Sequence, residues 1–186
     1  MIWNSDTLWQ FISLAASAGV LSALVTGALG WVGAWRDEVA QARYLALELS
    51  VLLESYAWHL IQALYSDGNA KSSNGQVGNE LIYLPPLPAF PKADAVWPTM
   101  DIRLVDRAFA LRLEVEQSQP SLKDTYDAIG EDGQEYALRS ASDAAQTAAI
   151  LSRDLRYRYG LSQSDGSPHL LETCQEMRRR HASDAT

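Results

Sequence analysis

The chain has a single cysteine, Cys174, so it forms no internal disulfide and cannot build a thiolate zinc site; the fold must rest on packing. No proline occurs before Pro85, and nothing in the long opening stretch obliges a helix to stop. Charge is missing altogether from Thr7 to Trp35, and no lysine or arginine precedes Arg36. Catalytic signatures are missing too. There is no HExxH, ExxH or CxxC, no G-x-S-x-G elbow, no P-loop and no G-x-G-x-x-G. The expectation is a non-enzymatic protein with no cofactor and no metal site.

The charge balance excludes a further class. With 15 Lys+Arg against 23 Asp+Glu the formal net charge is -8, which opposes loose binding of the whole chain to nucleic acid or an anionic bilayer. No nucleic-acid partner is expected, and any contact with lipid must be local. At 186 residues the chain suits one well-cored domain plus a small appendage.

What the sequence does have is FISLAASAGVLSALVTGALGWVGAW, residues 11 to 35, inside the uncharged run. A signal peptide, a buried core helix and a membrane span all fit an apolar segment near the start of a chain. A signal peptide should open on basic residues, and only Asp6 is charged here. A bilayer core takes roughly 20 apolar residues as a helix, so length permits a span. Trp9 and Trp31 would stand about 33 Å apart along such a helix, close to the thickness of the hydrocarbon layer, with Trp3 and Trp35 just beyond them. A transmembrane anchor over residues 1–35 is therefore expected, with Trp9, Trp31, Trp35 and Arg36 at the membrane interfaces. Arg36 and Arg43 follow the run and nothing basic precedes it, which puts the N-terminus outside and the rest of the chain in the cytoplasm. Small residues recur at every fourth position, Ala15, Gly19, Ala23 and Gly27, beside a second row from Ala18 to Ala34. Gly19, Ala23 and Gly27 are thus candidates for helix association in lipid.

Residues 36–160 read as a helical cytoplasmic domain. Val39, Ala42, Ala46, Leu49, Leu53, Tyr56, Leu60 and Ala63 fill successive a and d positions, while Leu45, Val51, Leu52, Trp58 and Ile61 fall off that seam. Only Gln41, Glu48, Ser55 and Gln62 form a polar row, which suits the central helix of a bundle ending near Tyr65. Residues 66–98 form the connection. SDGNAKSSNGQVGNE has the chemistry of a mobile linker, and LIYLPPLPAFPKADAVWP favours polyproline II. That apolar, proline-rich strap either fits an aromatic groove on a partner or lies on its own bundle and buries Leu84, Leu87, Phe90 and Trp97; packing is favoured.

Asp101 is positioned to cap a helix with Ile102, Val105, Phe109 and Leu113 on its face, interrupted at Pro120. A last main helix runs from about Gln134 to Tyr159, with Leu138, Ala141, Ala145, Ala148, Leu151 and Leu155 inward. Pairs such as Glu135 with Arg139, Arg139 with Asp143 and Asp154 with Arg158 lie outward, and Gly160 is its C-terminal cap. RDLRYRYG alternates arginine with tyrosine; base stacking is one use of such a pattern, a basic helix end is the simpler one. Residues 161–186 are a polar linker and a short helix opened by Pro168, with Leu170, Leu171, Cys174 and Met177 on one face. The fold class is all-α: one transmembrane helix continuing into a three- to four-helix bundle with a proline-rich strap. His59, His169 and His181 have no ligand-spaced neighbours, and the acidic groups around Glu114, Asp124 and Glu131 read as solvated helix ends.

ARYLALELSVLLESYA (42–57), LPPLPAFP (84–91) with the DAVWPTMDIRLVDRAFAL that follows, and LSRDLRYRYGL (151–161) together resemble a group of short, uncharacterised bacterial proteins that pair an N-terminal hydrophobic segment with a helical domain. That resemblance implies a bacterial inner-membrane, single-pass topology and attaches no activity. The function expected is a membrane-anchored interaction or regulatory module, with the lipid bilayer and a protein partner or a second copy as its contacts. An oligomeric membrane effector or pore-forming protein is the alternative, and an enzyme with an unrecognised helical site is the third reading.

Overall fold

The absence of early prolines is realised in full: in a computed structural model, α1 runs unbroken from Ser5 to Ser72. It is followed by α2 (Ile102–Ile129), α3 (Glu131–Arg158) and α4 (Ser167–Ser183), with one 3-10 turn at Trp97–Thr99. The structure describes the backbone of residues 5–164 and 166–183, and side chains from residue 31 onward other than 129, 131, 132, 165, 167, 178 and 180–186. Within that range the protein is all-helical and contains no strand.

Two units divide the chain, Met1–Gln41 and Ala42–Thr186. In the first, Trp31, Val32, Trp35, Arg36 and Val39 are exposed, and Val39 departs from the buried seam expected of it. Among the described residues no helix is long and apolar enough to cross a membrane. The uncharged run up to residue 30 lies outside the described side chains, as do those of Trp9, Gly19, Ala23 and Gly27 on the α1 backbone.

The second unit holds the core. Ala42, Ala46, Leu49, Leu53, Tyr56 and Leu60 are buried along α1, joined by Leu45, Ala57, Ile61 and Leu64, while Gln41, Glu48, Ser55 and Gln62 are exposed. Fully burying a leucine-sized side chain contributes about 1.5–3 kcal/mol, so this broad face makes α1 a principal wall of the bundle. α3 is buried on two faces at once. Leu138, Ala141, Ala145, Ala148, Leu151 and Leu155 lie inward as the periodicity indicates, and Ala137, Ser142, Ala149, Ser152 and Arg156 are buried as well. It packs against both α2 and α4 and bonds to α1, while α1 in turn meets α3, the strap and α4.

Cross-links at known heights give the directions. α3 is antiparallel to α1, because Arg156 meets Glu54 and Gln134 meets Asp67. α2 is antiparallel to α3, because Arg107 meets Asp154 and the Gly133 Cα approaches Tyr126. α4 starts where Ser164 meets Glu54 and passes Trp58 at His169, parallel to α1. The strap runs back down the bundle: Leu84 O accepts from Gln119, Pro85 O accepts from Tyr56 Oη at 3.0 Å, and Asp101 N donates to Tyr159 Oη at 2.7 Å. Leu84 and Phe90 are buried and Leu87 and Trp97 partly so, with Phe109 in edge contacts with Phe90 and Trp97, which are themselves tilted against each other. Its apolar residues cover the protein's own helices.

Three local expectations differ from the structure. The stretch 66–72 is the last two turns of α1, not linker: Ala70 is buried, and Asp67, 2 % exposed, accepts from Leu81 N at 2.9 Å and Gln134 Nε2 at 2.6 Å. Ser66 Oγ takes the Asn79 amide, and a Cβ on Gly78, whose φ is 90°, would collide with the Ser66 carbonyl, so the turn is pinned rather than loose. α2 passes through Pro120 without interruption. Proline leaves one carbonyl unpaired, that of exposed Glu116, while Leu122 beyond it is fully buried and holds the helix to the core. The inward face of α2 is Leu104, Val105, Ala108, Leu111, Val115 and Leu122, whereas Ile102, Phe109 and Leu113 are exposed.

The turn between α2 and α3 shrinks to Gly130, at φ 61° and ψ -120°, a conformation open to glycine alone in practice. Gly160, at φ 60°, ends α3 as expected, and Leu161 N closes back on Arg156 O at 2.9 Å.

Candidate functional site

Among the residues singled out from sequence, Trp31 is 73 % and Trp35 57 % exposed, and Arg36 is exposed beside them. The chain enters its folded unit just beyond, at Ala42. Arg43 Nη2 donates to Gly160 O at 3.2 Å, which fixes the start of that unit beside the C-terminus of α3. The N-terminus of α2 is at the same end, because Arg158 Nε donates to Asp101 Oδ2 at 3.0 Å and Tyr159 receives the Asp101 amide.

Between those helix ends lies a groove of about 350 Å³, lined by Asp101, Arg103, Leu104, Arg107, Asp154, Tyr157 and Arg158. Local rules place the lining. Asp101 caps α2 by accepting from Arg103 N at 3.1 Å, and Arg103 and Arg107 follow one turn apart on the same face. Asp154 and Arg158 have the same spacing on α3, yet they do not pair with each other. Asp154 instead accepts from Arg107 Nη1 at 2.8 Å and from Arg153 Nη2 at 3.0 Å, while Arg158 crosses to Asp101. The Arg103 guanidinium makes no hydrogen bond or close ion pair among the described residues and acts on Asp101 through space.

Both carboxyls stay ionised at neutral pH. The Arg158 guanidinium and the Arg103 amide hold Asp101 below the usual carboxylate range. Burial raises the Asp154 carboxyl, but the hydrogen bonds from Arg107 and Arg153 outweigh it and the net displacement is downward. Three guanidiniums, those of Arg103, Arg107 and Arg158, line the groove with two carboxylates, and Arg153 bonds one of these, Asp154. Such a site attracts anions and binds them through fork-shaped donors. Its lining includes no Ser, Thr, Cys, His or Lys.

Sequence reading missed the second polar centre altogether. Glu54 is gripped by Arg156 through Nε at 2.8 Å and Nη2 at 3.1 Å, and also accepts from Ser152 Oγ and Ser164 Oγ. Arg156 Nη1 donates to Ser162 O at 2.7 Å, so the chain at Ser162 and Ser164 is tied to α1 and α3 together. With side-chain exposures of 13 % and 6 %, this pair is an internal clamp, not an open site. The only sequence hint was a glutamate and an arginine on otherwise apolar faces.

The remaining reactive groups do not converge. His59 is exposed, His169 lies against Trp58 with ring centroids 6.2 Å apart, and His181 lies outside the described side chains. Burial pushes the Cys174 thiol up to about 11, so it stays protonated and inert at neutral pH. Among the described residues no group of His, Cys, Asp or Glu is placed to hold a metal.

The fold and this groove define an all-helical protein with a basic groove at the entry end of its bundle. Comparison with protein-family models, curated proteins and solved structures finds no match for the chain.

Proposed function

We propose that the protein is a membrane-anchored interaction or regulatory module without catalytic activity: a single N-terminal span holds a helical bundle on the cytoplasmic face of a bacterial inner membrane, where it recruits a protein partner or a second copy. The observation that carries this reading is the uncharged run from Thr7 to Trp35, bracketed by tryptophans and followed by the chain's first basic residue, Arg36. Exposed Trp31 and Trp35 support it. Contact with a protein is supported by an outward row on α1, Tyr44, Leu47 and Val51, which are 70 %, 39 % and 50 % exposed. The small-residue row through Gly19, Ala23 and Gly27 favours helix pairing within the bilayer.

Purification of the tagged full-length chain in mild detergent, with mass measurement and identification of what travels with it, is the test. The reading expects extraction from membranes only with detergent and a particle larger than one chain. A monomer that needs no detergent and brings no protein with it would contradict both halves.

A further inference from the structure

We propose that the groove between the start of α2 and the end of α3 binds a phosphate group, presented by the anionic phospholipid headgroups of the membrane to which the chain is tethered. The choice of lipid as the source rests on the anchor reading above; the phosphate chemistry of the groove does not.

Three observations converge on it. The first is charge: in a chain of net charge -8, this groove gathers an excess of guanidinium over carboxylate. The donors are also available. Arg107 uses Nη1 on Asp154 and Arg158 uses Nε on Asp101, which leaves the other N–H groups of each fork, and all five of Arg103, for a ligand. The two aspartates hold the forks in place, and a tetrahedral, multiply accepting oxyanion matches that array better than a single carboxylate does.

Surroundings supply the second observation. Tyr157, the most exposed large apolar side chain of the described residues at 87 %, lines this groove, and Ile102, 74 % exposed, falls between the lining residues Asp101 and Arg103 in sequence. Tyrosine and arginine side chains with apolar stems are suited to the headgroup boundary, where the stem enters the apolar layer and the polar tip stays wet. A site for a freely diffusing phosphate compound has no need of that rim.

Reach is the third. Arg43 is bonded to Gly160 beside the groove, and the segment from Trp35 to Arg43 spans at most about 28 Å even fully extended. Arg43 follows Trp35 by only eight residues of chain, so the tether between anchor and bundle is short. Headgroup phosphates are then present there at an effective concentration far above that of any soluble ligand.

The test titrates the full-length chain, in neutral alkyl maltoside micelles, with short-chain phosphatidylglycerol, short-chain phosphatidylcholine and inorganic phosphate, read by phosphorus NMR line broadening. Saturable broadening is expected with phosphatidylglycerol and little with phosphatidylcholine, weakening as salt rises. Arg103→Gln breaks no ion pair and should weaken phosphatidylglycerol binding about fivefold; together with Arg158→Gln the loss should be on the order of twentyfold, taking each basic side chain near a membrane surface at its typical worth. Circular dichroism of both variants should match the parent. Inorganic phosphate bound as tightly as phosphatidylglycerol would overturn the lipid source and leave a site for soluble phosphate. A full-length chain that stays dispersed without detergent would also overturn the lipid source, and the inorganic phosphate arm then decides the groove. No saturable binding of either anion, or binding unchanged by Arg103→Gln, would overturn the site itself.

Discussion

The two ends of the bundle handle ionic groups in opposite ways. At the far end, Asp67 is almost completely covered and its carboxylate accepts from the Leu81 amide and Gln134, with Lys71 at 3.5 Å on the outside. At the entry end, Asp101 and Asp154 hold arginines whose side chains are open to solvent, Arg158 at 63 % and Arg107 at 42 %. The far end uses its charge to close a turn and dock the strap. The entry end positions charge and leaves donors free. Glu54 and Arg156, between these extremes, are as well paired as the groove residues yet buried, and their donors are satisfied internally. Burial, more than residue type, thus separates structural arginine from arginine available for binding.

This contrast is open to direct attack. The largest effect is expected from Glu54→Ala, which leaves the Arg156 guanidinium buried without its carboxylate and should cost about 3–5 kcal/mol, read as a fall in the urea midpoint. Asp67→Ala should follow at about 1–3 kcal/mol, the cost of orphaning buried donors, with proteolysis of the 73–80 turn as a second readout. Lowering the pH tests the entry end. Because the Asp101 and Asp154 carboxyls are displaced downward on folding, their contribution is present above about pH 4, the ordinary carboxylate value, and is lost as pH falls through the lower folded-state values. Stability should therefore decline with a slope below pH 4, and the Asp154→Asn variant should show a shallower one. Arg158→Gln should be the mildest, with the smallest shift of the urea midpoint at neutral pH, since its partner is reached across an exposed surface.

Legibility followed periodicity. The inward face of α3, the cap at Asp101, the end at Gly160 and the burial of Leu84 and Phe90 could all be read from residue spacing and local chemistry. α2 could not. Its apolar residues lie on several sides, and of the face expected from sequence only Val105 is buried, while Ile102, Phe109 and Leu113 are exposed and Leu104, Ala108, Leu111 and Val115 meet the core. Phe109 was claimed by a segment distant in sequence, the strap aromatics Phe90 and Trp97. The last turns of α1 looked like linker because what holds them, Gln134 and the Leu81 amide, is also distant. For the same reason the groove was invisible as a site. RDLRYRYG declared itself as basic and aromatic, but its meaning depends on Asp101, Arg103 and Arg107 being brought against it from another helix.

Docking of the groove on anionic lipid is tested most directly by one labelling measurement. With buried Cys174 expected to stay unmodified in the native protein, a polarity-sensitive fluorophore can be attached to a cysteine placed at exposed position 157 or 77 of the full-length chain in anionic liposomes. Tyr157→Cys should give a blue-shifted emission quenched by spin-labelled lipid, and Val77→Cys, at the far end, should give neither. Equal emission and equal quenching at both positions would contradict lipid docking at the groove.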